Sequence, residues 1–274
     1  MSNPALASLH VYPLKAVRGH APAETVVEPW GLAGDRRWML IDDACRVVTQ
    51  RSHPGLALVT AQPLPSGGLG LSGPGRDPLT VGVPEAHRTV MARLFGDEVE
   101  LVLADEEAHA WFSAYLDADV RLVHLARPAT ARPVDPRYAR PGETVALADG
   151  FPVLLASLSS LDALNTLIAQ GAYAAEGPLP MSRFRPSAVV ADAPPWAEDE
   201  WRRVTIGEVV FRAARRCGRC VVATTDQLTA RRGREPLHTL ARHHRFGDQL
   251  VFGRHLIPES TGTLRLGDPV TVLA

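Results

Sequence analysis

Ala5, Ala7, Leu9 and Val11 interleave with Leu6, Ser8 and His10 until Pro13 breaks the run. A period of two marks a strand with one face turned to a core, and proline cannot extend its ladder. Further runs of strand composition follow at 24–28, 37–41, 46–50 and 56–61, with turn chemistry at 31–35, Asp42-Asp43 and Pro54-Gly55. Short strands at this spacing predict a small barrel or sandwich. The glycine- and proline-rich stretch 63–78 predicts a loop. Beyond residue 84 the spacing turns helical, with Val90, Leu94 and Phe95 on one face and Ala108, Trp111, Phe112 and Tyr115 on another.

Residues 127–141 carry four prolines and four arginines, which mark either a boundary between domains 1–126 and 127–274 or an extended arm on the surface. The apolar run 151–156 predicts a buried strand. Ser159 and Asp162 then resemble a capping pair for a helix with Leu161, Leu164, Leu167 and Ile168 on one face. A loop at 171–180 precedes strands at 188–191, 203–206, 209–213 and 220–224. Gly207-Glu208 and Gly267-Asp268 predict hairpin turns, and 236–244 predicts a helix lined by Leu237, Leu240 and Ala241. The sum is a β-rich α+β fold.

Composition narrows the class. A hydrophobic content of 46% with 22% charged residues is that of an ordinary globular protein, and a net charge of −1 argues against nonspecific nucleic-acid binding. The first ten residues lack a basic segment followed by an apolar one, and no window approaches a spanning helix. Three cysteines in 274 residues argue against a disulfide framework, so a reducing cytoplasm is the expected compartment, with no membrane partner. Lys15 is the only lysine in a chain rich in arginine, which makes it either a product of arginine bias or a place that needs a compact ammonium.

Two of the three cysteines form Cys217-Gly218-Arg219-Cys220, just after Arg215 and Arg216. Clustered arginine favours thiolate, the form that attacks electrophiles or ligates a soft metal. The residues themselves leave several uses open. A zinc site needs a second ligand pair, which no other cysteine pair provides, and His238, His243 and His244 sit on an amphipathic helix as solvated or capping groups. A thioredoxin-type pair belongs at the start of a helix, whereas a strand is expected here. One ligand cysteine with a structural neighbour, or two half-buried cysteines at a strand edge, remain. Cys45 stands alone near a turn. Arg-Phe-Arg-Pro at 183–186 suits an anion, because guanidinium forks match phosphate oxygens. Nucleotide-binding glycine loops and a Gly-X-Ser-X-Gly elbow are absent.

The motifs in order resemble the MOSC family, named for the C-terminal domain of molybdenum-cofactor sulfurase, together with its associated N-terminal β-barrel domain. The resemblance runs through Leu9-His10-Val11-Tyr12-Pro13-Leu14-Lys15, Gly31-Leu32-Ala33-Gly34-Asp35-Arg36-Arg37-Trp38 and Thr49-Gln50-Arg51. It continues through Arg183-Phe184-Arg185-Pro186, Ala197-Glu198-Asp199 with Trp201, the cysteine motif, Phe252-Gly253, and Gly262 with Val270 around Gly267-Asp268. It implies a β-barrel-like N-terminal domain packed on a MOSC β-barrel with a few short helices. It also implies a molybdopterin-type molybdenum cofactor and, by likeness to amidoxime-reducing components and their bacterial counterparts, reduction of N-hydroxylated compounds.

Residue by residue, the resemblance makes Cys220 the molybdenum ligand and catalytic centre, with Arg219 beside it favouring the thiolate. Lys15, Arg36 and Arg185 match positions that hold the pterin and its phosphate, and Ser157 matches a hydrogen-bonding position near the cofactor. Ser187 stands where relatives carry asparagine, and Ala16 where they often carry serine, so each shortens or removes a polar contact. The chain shows no four-cysteine pattern for an iron–sulfur cluster and no pyridoxal-phosphate desulfurase domain. It is therefore expected to take electrons from an external electron-transfer protein or reductase. The alternative is a non-catalytic carrier of molybdenum cofactor or of sulfur on Cys220, and a weaker one is a metal-free binding module.

Overall fold

A computed structural model gives the fold and describes residues 3–274. The alternating N-terminal run forms the strand Ala5–Leu9, which pairs antiparallel with Ala188–Ala191, and that strand lies parallel to Val153–Ser157. The sheet continues through Gln249–Pro258, Val209–Gly218, Arg203–Ile206 and Val270–Val272. Its two ends then meet. The Leu6 amide donates to the Asp268 carbonyl at 2.9 Å, Gly267 donates to Leu6 at 2.8 Å, and Val270 donates to Pro4 at 2.8 Å. The sheet thus curls into a nearly closed barrel, which leaves few edges unpaired. Leu6, Leu9, Leu155, Ile206, Phe211 and Leu256 fill it, each at most 1% exposed.

The second large sheet runs Val47–Val48, Trp38–Asp42, Val120–His124, Asp97–Leu103, Thr89–Leu94 and forms a half-barrel. Helix α1 (Glu106–Leu116) covers one face, packing Ala108, Trp111 and Phe112 on Trp38, Leu40 and Leu122. Met39, Ile41, Leu101 and Val123 fill a separate core on the other. Burial on both faces explains why Trp38–Asp42 is nearly continuous apolar sequence rather than alternating. A small sheet of Thr60–Pro63, Leu69–Gly73 and Arg76–Val81 shares the α1 core, and another joins Glu24–Glu28 to both Gly31–Leu32 and Gly262–Arg265. Pairing therefore crosses the expected boundary at 126/127 twice, at Ala5–Leu9 and at Gly262–Arg265.

Several local expectations are corrected. Residues 63–78 hold most of a hairpin instead of a loop, because Leu69 and Leu71 face inward while Gly70 and Ser72 take the outward positions. Val90 and Leu94 lie on the strand Thr89–Leu94, since a spacing of four satisfies a period of two as well as a helical one. Residues 221–224 form a 3₁₀ turn in which the Ala223 amide donates to the Cys220 carbonyl at 3.0 Å. Helix α2 (Leu158–Ala169) starts earlier than Ser159 and is capped by Ser157. In helix α3 (Leu237–His243) the buried positions are Thr239 and Leu240, and Ala241 is exposed. Gly267-Asp268 is a turn between strands of two different sheets rather than a hairpin. Among the described residues no helix is long and apolar enough to cross a membrane.

Candidate cofactor cleft

Between the half-barrel and the barrel lies a cleft of about 170 Å³, lined by Lys15, Arg36, Arg185, Ser187, Arg219 and Cys220 among others. These are six of the seven site residues expected from the sequence. The seventh, Ser157, does not line it. Ser157 is fully buried, and its Oγ accepts from the Ser160 amide at 3.5 Å as the N-cap of α2. Arg183, the first arginine of Arg-Phe-Arg-Pro, is also turned elsewhere: it donates to the Thr224 carbonyl at 2.7 Å and pairs with Asp226 at 3.0 Å, pinning the segment after Cys220. His244 lies 2.7 Å from Asp199 and stacks on Trp196, away from the cysteine motif.

The cradle is assembled from loops fixed by the sheets. The Lys15 amide donates to Trp38 at 2.8 Å and the Arg36 amide to Tyr12 at 2.7 Å, so the two loops brace each other. Ala16, Arg36 and Arg185 all take positive φ, at 70°, 44° and 52°. Non-glycine residues in this region carry strain that concentrates at functional sites. The Arg36 and Arg185 guanidiniums both stack on the Tyr12 ring, at 4.5 and 4.3 Å. Arg36 pairs with Asp35 at 2.5 Å, and Arg185 donates to the Val17 carbonyl at 2.7 Å. Burial, with Arg36 alongside, pulls Arg185 down to about 10. Ser187 Oγ accepts from the Leu154 amide at 3.3 Å, which anchors the loop after Arg185 to the neighbouring strand.

Lys15 is 5% exposed and donates to the Leu147 carbonyl at 2.8 Å and to Asp149 at 2.5 Å. Burial pulls the ammonium down from its ordinary value, and Asp149 opposes that pull. Asp149 stands at the cleft mouth with Arg51 3.1 Å from its other oxygen. Desolvation by the walls opposes its charge, yet Lys15 and Arg51 hold its carboxyl below the usual carboxylate range. The same Arg51 guanidinium reaches Cys220 Sγ at 3.7 Å.

The two cysteines differ sharply. Cys220 is exposed, whereas Cys217, at the end of Val209–Gly218, is buried. Burial pushes the Cys217 thiol up, but Arg219, whose Nη1 donates to the sulfur at 2.9 Å, and His255 bring it down to about 6. Irregular register between Val209–Gly218 and Gln249–Pro258 re-aims these side chains, as bulges do.

Five cations meet here, while Arg185 and Arg219 have no carboxylate partner among the described residues. The buried Nε of Arg219 and Nδ1 of His255 have no hydrogen-bond partner. A cleft with surplus guanidinium charge, orphaned buried donors and an exposed thiol at its mouth suits an anionic group bearing a soft metal.

Residues 3–119 match the family described as the MOSC N-terminal beta barrel domain, and residues 142–271 match the MOSC domain. The chain belongs to the MOSC family. It is 30% identical to mitochondrial amidoxime-reducing component 1 of Mus musculus, covering 98% of this chain and 82% of the relative. It is 32% identical to mitochondrial amidoxime reducing component 2 of Rattus norvegicus, covering 95% and 80%. Molybdenum cofactor sulfurase of Danio rerio is 30% identical over 93% of this chain, which spans 32% of that longer protein. The name of the sulfurase associates that relative with the molybdenum cofactor.

Tyr12, Arg51, Asp149, Phe151 and His255 were not expected at the site, and Cys217 was expected only as a neighbour of the ligand cysteine. Tyr12 and Arg51 sit inside matched motifs, whereas Asp149 is found only through the burial of Lys15. Phe151 and His255 stack at 4.6 Å from elements far apart in sequence, and no local pattern signalled them.

Proposed function

We propose that this MOSC protein is a cytoplasmic molybdenum-cofactor-dependent oxidoreductase that reduces N-hydroxylated compounds, such as hydroxylamines and amidoximes, with electrons from a separate protein. The observation that carries the reading is the convergence of surplus cations on an exposed thiol in one cleft, in a chain similar over nearly its full length to proteins named amidoxime-reducing components. Cys220 would ligate the molybdenum, and Lys15, Arg36 and Arg185 would hold the pterin and its phosphate. When bound, the cofactor supplies a centre that exchanges two electrons and accepts oxygen from nitrogen.

The chain's own residues do the rest. Arg36 and Arg185, both stacked on Tyr12, present guanidinium forks fixed in orientation before any ligand arrives, which lowers the ordering cost of binding. Arg219 is locked by Cys217 on one side and by the Phe184 carbonyl, at 2.8 Å, on the other. Arg51 and Asp149 form a polar rim beside the exposed thiol, where substrate would approach.

Similarity to sulfurases and the openness of Cys220 also support the carrier reading, with sulfur or cofactor held on that thiol. The deciding experiment is metal and pterin analysis of protein from a molybdenum-replete host, followed by turnover of a hydroxylamine and an amidoxime with reduced viologen as donor. Activity that tracks molybdenum content supports the reductase. Molybdenum-loaded protein inert with every strong donor supports the carrier.

A further inference from the structure

A second cavity, of about 470 Å³, opens along the ribbon of Val209–Gly218 and Gln249–Pro258 and shares no lining residue with the cleft. Arg137, Arg215, Arg216 and Arg254 line it, with Tyr138 and Phe246 as aromatic walls. Two of the four are already neutralised. Arg137 donates Nε to Asp135 Oδ1 at 3.1 Å and Nη2 to Oδ2 at 2.6 Å, and Glu200 pairs with Arg216 at 2.5 Å. The other two are not. Arg215 forms no ion pair among the described residues; it donates Nε to the Arg216 carbonyl at 3.4 Å and lies over Tyr138 at 5.7 Å. Arg254 donates Nη1 to the Asp199 carbonyl at 3.0 Å, and its Nε is buried without a partner. The nearby Asp199 carboxylate is committed to His244 at 2.7 Å and reaches Arg216 only at 3.8 Å.

Arg216 and Arg254 are direct cross-strand partners. Such pairs hold their Cβ atoms about 5 Å apart, where like charges destabilise the sheet. Burial first, and then Arg216, pull the Arg254 guanidinium below its ordinary range, while Asp199 and Glu200 oppose that pull. An arrangement of this kind is stabilised by an anion bridging the guanidiniums. Arg215 and Arg254 both line the cavity without a carboxylate partner among the described residues, and guanidinium forks grip a doubly charged oxyanion in bidentate fashion. Because the Arg254 donor is recessed, the anion must be small enough to enter, which favours a free phosphate group over a carboxylate fixed on a protein surface.

We propose that this cavity is a second anion site, built to bind the phosphate group of a small ligand between Arg215 and Arg254. The inference does not rest on the chemistry assigned to the cleft. An occupant would tie together the two strands that carry Cys217 and His255 into the cleft wall.

Calorimetric titration of the cofactor-loaded full chain with inorganic phosphate tests it, with Arg215→Gln, Arg254→Gln and, as a control on an exposed arginine outside both cavities, Arg46→Gln run in parallel. One saturable site is expected, weakened tenfold or more by either of the first two substitutions and unchanged by Arg46→Gln. Absence of saturable binding, equal loss in all three variants, or tighter binding of succinate or a polyglutamate peptide than of phosphate would each overturn the proposal. Should Arg254→Gln fail to fold, Arg215→Gln decides alone, because Arg215 holds no structural ion pair.

Discussion

The Arg36 and Arg185 guanidiniums both lie over the Tyr12 ring, whose π-system offsets part of their charge. Arg36→Ala or Arg185→Ala should give folded, cofactor-poor protein. One desolvated charge-assisted contact is worth about 1.5–3 kcal/mol, so retention should fall roughly ten- to a hundredfold, measured as pterin and molybdenum per chain. The cysteines should separate just as clearly: Cys220→Ala should abolish turnover and change the molybdenum spectrum, while Cys217→Ser should keep active molybdenum. Equal loss in both would refute the single-ligand assignment. Cys217 also carries a pH signature. Its folded value of about 6 lies below the ordinary thiol value, so its stabilisation is complete above that ordinary value and lost as pH falls through about 6. Urea midpoints of parent and Cys217→Ser should therefore differ most in mildly alkaline buffer and converge in acid. Lys15, Arg36, Arg185 and Cys220 were visible in sequence because each belongs to a short motif. Asp149 and His255 were not, because each reaches the cleft through a partner more than a hundred residues away or a strand whose register no local pattern sets, as the Lys15–Asp149 pair shows.

The pairing of Gln249–Pro258 with Val153–Ser157 depends on close backbone approach at Gly253. A Cβ there would meet the Leu155 carbonyl oxygen at 2.6 Å, and φ is +83°. Gly253→Ala should destabilise the fold by about 2–3 kcal/mol, read as a shift in denaturant midpoint, and should loosen the wall that holds His255. Elements were legible where a single period ruled the run. Ala188–Ala191 and Arg203–Ile206 match the expected bounds because a short apolar run and a short alternating one, each between turn signals, have few alternatives. The hairpin of Leu69–Gly73 and Arg76–Val81 stayed hidden because glycine and serine occupy outward positions and erase the contrast on which alternation depends. Ser157 was expected at the cofactor and instead caps α2, a role that Ser159 had been expected to fill.

At the scale of the whole molecule, the proposed reductase has a cradle and a thiol of its own and would take its electrons from a partner. NADH or NADPH alone should leave a hydroxylamine unreduced, whereas addition of a flavoprotein and a small electron carrier should restore turnover in proportion to molybdenum. Reduction by nicotinamide alone would overturn the need for a partner. The two-part, β-rich organisation was legible in the ordered motifs, but the crossing strands were not, since a run of alternating residues does not state which sheet it joins. That crossing has a consequence for how the molecule comes into being. Ala5–Leu9 leaves the ribosome early, and its partner Ala188–Ala191 emerges about 180 residues later. Until then its ladder has nothing to bond. The barrel must close after the strands of the second half have emerged, by a slow search over long loops. A nascent chain halted at residue 126 should bind holdase chaperones through that waiting strand, and release should require the strands of the second half.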